Sequence, residues 1–175
     1  MAVQTVRIDT LPGTVEAFVE AADGLAATPE GGAGAFVLAL AIAADNVMLG
    51  RQCLAAVAAP GRLQPGAHGY KGQELRRSDL QLIERQIVKQ RYLPLAYLQG
   101  ATPENAYTRP ALPWEVLVST NPYSGEPETG RVKLFVACSG AASPRPVTLE
   151  RDAHGRWRAA EWSSLVMGIV APRQS

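Results

Sequence analysis

The sequence predicts an α+β domain, with N-terminal helices packed on one face of a C-terminal antiparallel β-meander of four to five strands. The hydrophobic period changes from about 3.6 residues in a helical half, about 12–100, to about 2 residues in a strand half, about 113–172. Helices followed by a run of strands are typical of this class. The chain has 175 residues, of which 47% are hydrophobic and 19% charged, so residues 1–175 are expected to form a single globular domain.

Two successive N-caps introduce the first helices. Thr14 precedes apolar residues at helical spacing, and Thr28 precedes Pro29, which costs nothing at the first helical position. The second helix is apolar nearly all round between Ala33 and Ala44, so neighbouring elements are expected to cover it on several sides. This run is shorter than the about 20 residues that a membrane span needs, and no such span is predicted.

A corner at residues 45–50 leads into a short helix at 51–60, which Pro60 ends. Glycines and prolines then predict loops at 61–71 and 99–113. Between the loops, Ser78 and Gln81 match a capping box and predict a helix that begins at Ser78. Its core face is predicted to carry Leu80, Ile83 and Ile87.

Period-2 alternation predicts strands at 113–120 and 131–140, a hairpin at 146–162 and a last strand at 163–172. In the hairpin, a type I turn with Gly155 in the left-handed region places Glu150 opposite Arg158 and Leu149 opposite Ala159. An ion pair between Glu150 and Arg158 is expected to stabilise the hairpin.

Trp157 and Trp162 lie five positions apart, so a regular strand places them on opposite faces of the sheet. This register puts Trp157 on the core face, where the stem of Arg151 can cover its ring. Three explanations remain for Trp162: a bulge near Ala159 and Ala160, a strand that ends by Ala160, or a second covered face of the sheet. We favour the bulge, because it also returns Glu161 to solvent.

Catalytic and metal-binding patterns are not found in the sequence. His68 and His154 lie in predicted turns without ligand neighbours at the usual spacings, and the nucleophile elbow, the P-loop and the dinucleotide fingerprint are missing. We therefore predict no cofactor and favour a non-enzymatic function. Cys53 and Cys138 lie far apart in apolar settings. One disulfide between them is the alternative, but two buried free thiols fit better and suit a reducing, cytoplasmic compartment.

Two surfaces are candidates for binding. One consists of loops rich in tyrosine and asparagine: Tyr70, Lys71, Asn105, Tyr107, Asn121 and Tyr123. The other is a basic cluster with Arg76, Arg77 and Arg85 at its centre and Lys71, Lys89 and Arg91 around it. Glu74, Asp79 and Glu84 are expected to neutralise this cluster in part. The net charge of +1 does not favour nucleic acid as a partner.

Several motifs together resemble a bacterial domain family of unknown function, from about Thr14 to Pro172. They are GYKG, TPENAY, TNPYSG, GRVKLFV, RPVTLERD and GRWRAAEWSSL. This resemblance implies one intact domain and carries over no catalytic residue. The order of elements is also similar to that of NTF2-like domains, which often hold a pocket between sheet and helices, although a fold does not define a function.

We expect a protein-interaction module, either a homo-oligomer or a component of a bacterial assembly. The alternative is a small-molecule-binding or enzymatic domain with a pocket between sheet and helices, near Tyr70, Tyr107, Asn121 and Tyr123. In a third hypothesis, an adaptor uses Arg76, Arg77 and Arg85 to bind an acidic partner.

Overall fold

Four α-helices and a five-stranded antiparallel sheet form the described part of the chain, residues 2–173 of a computed structural model. The helices are α1 (Val15–Leu25), α2 (Pro29–Asp45), α3 (Val47–Val57) and α4 (Arg77–Lys89). The strands are β1 (Val3–Ile8), β2 (Leu63–Tyr70), β3 (Gln73–Leu75), β4 (Trp114–Ser119), β5 (Arg131–Val136), β6 (Arg145–Arg151) and β7 (Trp157–Glu161). The order β1-β4-β5-β6-β7 confirms the predicted α+β class and adds a smaller β2-β3 sheet.

Helix α2 is the centre of the core. Every residue from Gly31 to Ala43 is buried, as the all-round apolar pattern predicts. Two glycines allow the helix to approach the sheet closely: a Cβ on Gly32 would lie 2.6 Å from the Trp157 carbonyl oxygen, and one on Gly34 would lie 2.5 Å from a methyl of Val6. Within residues 2–173, no helix has the length and hydropathy needed to cross a bilayer.

The predicted N-caps of α1 and α2 are confirmed. The hydroxyl of Thr14 accepts from the Ala17 N–H at 3.2 Å, and that of Thr28 accepts from the Gly31 N–H at 3.0 Å. Helix α3 begins at Val47 rather than at Arg51, because the side chain of Asn46 already caps it at the corner.

The capping box at Ser78 is wrong. Helix α4 begins at Arg77, and its N-cap Arg76 makes no side-chain capping bond. The Arg76 N–H donates instead to the Arg62 carbonyl at 3.1 Å, continuing the pairing of the β2-β3 sheet up to the helix. This tertiary contact starts the helix one residue before Ser78.

Most of the loop predicted at 61–71 is a strand, β2, which runs from Leu63 to Tyr70. The strand pairs with β3 through a turn in which Lys71 and Gly72 have φ angles of 52° and 76°. Left-handed residues at both central positions are what a two-residue hairpin turn of type I′ requires. The register shifts between Pro65 and Tyr70, and this irregularity explains why simple alternation did not reveal the strand.

The strand β1 has no counterpart in the sequence prediction. It pairs with β4 over six residue pairs, from Val3 opposite Ser119 to Ile8 opposite Trp114. Only Val6 and Ile8 of the strand are buried, which leaves too short an alternation to stand out from the polar residues around it.

The predicted hairpin of β6 and β7 is confirmed, including Glu150 opposite Arg158 and Leu149 opposite Ala159. Gly155 has a φ of 78°, and its N–H donates to the Asp152 carbonyl at 3.1 Å. The expected ion pair is wrong: Glu150 pairs with Arg131 at 2.7 Å, whereas Arg158 pairs with Asp23 and Asp152.

A bulge in β7 explains how Trp157 and Trp162 both reach the core face of the sheet. Thr148 pairs with Glu161 instead of Ala160, so one extra residue restores Trp162 to the core face. The Trp162 ring lies 5.0 Å from that of Phe36 in α2, and both tryptophans are buried. The Arg151 guanidinium lies over the Trp157 ring, 5.5 Å from the ring centroid.

The last predicted strand is wrong. Residues Ser163–Val166 form a 3₁₀ turn, and no strand follows it up to residue 173. The outer edge of β7 is already occupied, because the Ala159 carbonyl accepts from the Ala59 N–H at 2.7 Å and the Trp157 N–H donates to Ala26 at 2.9 Å. A further strand therefore has no free edge of β7 to join.

We expect the substitution Gly32→Ala to lower the free energy of unfolding by about 1–3 kcal/mol, because its Cβ would overlap the backbone of Trp157. The matched control Gly24→Ala lies on α1 with no atom near the added Cβ, and we expect it to raise stability by about 0.5–1 kcal/mol. Urea denaturation of both variants measures the difference. Equal effects would show that the α2–sheet contact is not tight.

The carboxylate of Asp152, in the β6-β7 hairpin, makes the stability of the protein depend on pH. Partial burial raises its pKa, but hydrogen bonds from the Arg156 and His154 N–H groups and the charge of Arg158 outweigh this, and the net pKa lies below the ordinary 3.8. A lowered folded-state pKa stabilises the protein above pH 3.8, and this contribution is lost as the pH falls through the folded-state pKa.

We therefore expect Asp152→Asn to reduce the free energy of unfolding most near neutral pH. Its difference from the unsubstituted protein should shrink as the pH falls below about 4. Urea denaturation at a series of pH values measures this difference. A difference that stays constant with pH would contradict an ionic role for Asp152.

Candidate functional site

The exposed side of α4 carries a cationic stripe. We define the α4 stripe as Arg77, Gln81, Arg85, Val88 and Lys89, which recur at helical spacing and are all exposed. The opposite side of the helix buries Ile83 and Ile87, so the helix is held firmly against the core.

The cations of the α4 stripe have no ion-pair partner among residues 2–173. The acidic residues expected to neutralise them face other elements. Glu84 accepts two hydrogen bonds from Arg51 of α3, at 2.8 and 3.2 Å, and Asp79 lies 3.9 Å from Arg62. Glu74 accepts from Gln64 at 3.3 Å. The positive charges of the α4 stripe therefore face solvent.

The predicted residues Tyr70 and Lys71 lie at the tip of the β2-β3 hairpin. The Lys71 ammonium is 5.3 Å from the centroid of the Tyr70 ring. The flank of this hairpin and Arg77 together line an open polar cleft of about 550 Å³, which also contains His68 and Glu74. The structure thus brings the hairpin close to the start of the α4 stripe. Arg76 is exposed just before the helix.

The predicted residues Asn105 and Tyr107 have internal partners. The Asn105 side chain accepts from the N–H groups of Thr102 and Thr108, at 2.9 and 3.1 Å, and donates to Gly100 at 2.7 Å. The Tyr107 hydroxyl donates to the Val170 carbonyl at 2.6 Å, and burial raises the pKa of this phenol to about 12. Asn105 therefore organises its loop, and Tyr107 anchors the C-terminal segment.

Asn121 and Tyr123 lie at the other end of the sheet. They follow β4, whereas Tyr107 precedes it, and the strand separates them by its full length. The Asn121 side chain accepts from the Tyr123 N–H at 2.8 Å, and the Tyr123 ring is 88% exposed. The structure does not bring these two residues together with Tyr107 in one site.

A cleft that the sequence did not predict lies at the C-terminal end of α2. Its volume is about 340 Å³. It is lined by Ala41, Ala44, Asp45, Arg91, Tyr92, Pro94, Leu95, Ala106, Tyr107 and Arg109. We call it the α2-end cleft. Of these residues, only Arg91 and Tyr107 were singled out from the sequence, because the others become neighbours only when distant segments meet.

The wall of the α2-end cleft is strained. Ala106 and Tyr107 have φ angles of 57° and 51°, a conformation that costs a residue with a Cβ about 1–2 kcal/mol. The strain places the Tyr107 ring parallel to that of Tyr92, with 4.9 Å between centroids and 2° between planes. Strained backbone of this kind is concentrated at functional sites in proteins.

The cysteines are poor nucleophiles in this environment. Both are free; Cys53 is buried and Cys138 is half-buried. Burial raises the pKa of Cys53 to about 12 and also raises that of Cys138, which lowers the thiolate fraction at neutral pH. Between residues 2 and 173, no three His, Cys, Asp or Glu residues are grouped closely enough to hold a metal ion.

The fold and these surfaces define an α+β domain with a cationic helix face and a cleft with an apolar floor. The chain belongs to the family described as a domain of unknown function, DUF6935, whose model matches residues 10–173. No curated protein and no solved structure matches the chain.

We expect Ala106→Gly to raise the free energy of unfolding by up to about 1 kcal/mol, because glycine adopts a φ of 57° without steric cost. The control is Ala153→Gly, at a turn position with ordinary φ. Glycine there increases the conformational entropy of the unfolded chain, and this should lower the free energy of unfolding by up to about 1 kcal/mol. Thermal and urea denaturation measure both. If Ala106→Gly lowers the free energy of unfolding as much as the control does, the inferred backbone strain at Ala106 is contradicted.

Proposed function

We propose that this protein is a non-enzymatic interaction module whose α4 stripe binds an acidic segment of a partner protein. The observation that carries the proposal is the unpaired charge of the stripe. Arg77, Arg85 and Lys89 lie along one exposed helix face without an anionic partner in the described chain. The nearby carboxylates of Asp79 and Glu84 face other cations.

The stripe also offers an apolar contact. Val88 is 75% exposed between Arg85 and Lys89. An interface needs a desolvated centre as well as charged edges, because exposed ion pairs contribute only about 0.2–1 kcal/mol each. Burying an exposed valine adds about 1.5 kcal/mol. A partner with carboxylates around one apolar side chain therefore complements the stripe.

The chemistry of the stripe favours an acidic protein over other partners. The stripe contains no aromatic side chain on which bases could stack, and the chain as a whole has a net charge of only +1. Two copies of α4 would repel each other, so self-association through this face is disfavoured. The free thiols support the proposed cytoplasmic setting.

The test is the binding of a fluorescein-labelled helical peptide of Glu, Ala and one Leu, about 16 residues long so that it spans the stripe. We expect the triple substitution Arg77→Gln, Arg85→Gln, Lys89→Gln to weaken binding at least about tenfold in fluorescence anisotropy. We expect Val88→Ser to weaken it by up to about tenfold through lost burial.

The matched control neutralises three exposed cations elsewhere: Arg7→Gln, Lys133→Gln, Arg173→Gln. It has the same net charge and should bind within about twofold of the unsubstituted protein. If both triple variants lose the same affinity for the peptide, net charge alone accounts for the effect, and the proposal is overturned. Undiminished binding of a peptide with Gln in place of Glu, or stronger stripe-dependent binding of duplex DNA or RNA, would also overturn it.

A further inference from the structure

The α2-end cleft has the volume and the apolar floor to hold a small apolar group. Its floor is made by Ala41 and Ala44, whose small side chains leave space at the last turns of α2, and Pro94 and Leu95 line its side. The volume of about 340 Å³ lies within the range of small-molecule sites. A dry cavity of about 150 Å³ already holds a benzene ring in another, engineered protein.

The charges of the cleft favour a single anionic group. Arg109 and Asp45 neutralise each other across a 2.8 Å ion pair, and the Arg109 guanidinium also lies 5.7 Å from the Trp114 ring centroid. Arg91 has no ion-pair partner within residues 2–173. The carbonyl end of α2 carries a partial negative charge, so negative charge beyond the one that Arg91 balances is opposed. One carboxylate on Arg91 is therefore the best-matched polar contact.

The cleft is organised before any ligand enters. The three hydrogen bonds of Asn105 hold the loop that contains the left-handed Ala106 and Tyr107, and the Tyr107 hydroxyl is bonded to Val170. Tyr92 stacks on Tyr107, and its hydroxyl makes no hydrogen bond within residues 2–173, so it remains available as a donor. A preorganised wall reduces the ordering cost of binding.

We propose that the α2-end cleft binds a small aromatic carboxylate. The ring packs on the alanine floor beside Tyr92, and the carboxylate pairs with Arg91. This site lies at the end of α2 rather than between sheet and helices, where Gly32 and Gly34 bring the backbone into contact with the sheet. It is independent of the α4 stripe, which ends at Lys89.

The experiment titrates benzoate and its neutral isostere benzamide into isotopically labelled protein, up to about 10 mM, with amide chemical shifts as the readout. We expect saturable shifts at residues 41–45 and 91–109, with benzoate bound at least about fivefold more tightly than benzamide. Ala44→Leu should abolish the binding of both probes by filling the floor. Arg91→Gln should remove the preference for benzoate.

Lys89→Gln is the matched control, because it removes a cation two residues from Arg91 that does not line the cleft. It should leave benzoate affinity within about twofold while weakening the acidic peptide on the stripe. This variant therefore separates the test of ligand binding in the α2-end cleft from the test of peptide binding on the α4 stripe. The proposal is overturned if folded protein shows no saturable shifts, if the shifts lie away from the cleft, or if Arg91→Gln and Lys89→Gln have equal effects.

Discussion

The close contact of α2 with the sheet is the constraint on which the rest of the structure depends. Gly32 and Gly34 leave no room for side chains between the helix and the strands, and each neighbouring element is placed around this contact. Helix α2 therefore touches α1, α3 and α4 as well as the sheet strands. A helix apolar on all sides is stable only when it is enclosed in this way.

The β7 bulge follows from the same contact. A regular strand would direct Trp162 away from α2, whereas the extra residue Ala160 lets one short strand place two tryptophans on the helix side. The Ala160 carbonyl accepts from Arg62 at 2.5 Å, and the same guanidinium lies 5.7 Å from the centroid of the Trp162 ring. One arginine thus satisfies the bulged backbone and covers the second tryptophan.

Charge pairing across elements explains why both proposed sites carry available cations. Arg51 and Arg62 bind the carboxylates of α4, and this leaves the arginines of the α4 stripe facing solvent. At the end of α2, Arg109 pairs with Asp45 and leaves Arg91 as the available cation. The two sites have different chemistry, since the stripe is open and the cleft is concave with a floor of small apolar side chains.

Local chemistry in the sequence determined the N-caps at Thr14 and Thr28, the all-round burial of α2 and the register of the β6-β7 hairpin. Each depends on residues close together in the chain, so spacing alone reveals it. Only the tertiary structure decided the pairing of β1 with β4, the start of α4 and the ion pairs of Glu84 and Arg158. The cleft belongs to this second group, because its lining residues at 41–45 meet lining residues at 91–109, which lie 46 to 68 positions further along the chain. Local periodicity contains no information on which distant segments meet, and packing against α2 decides it.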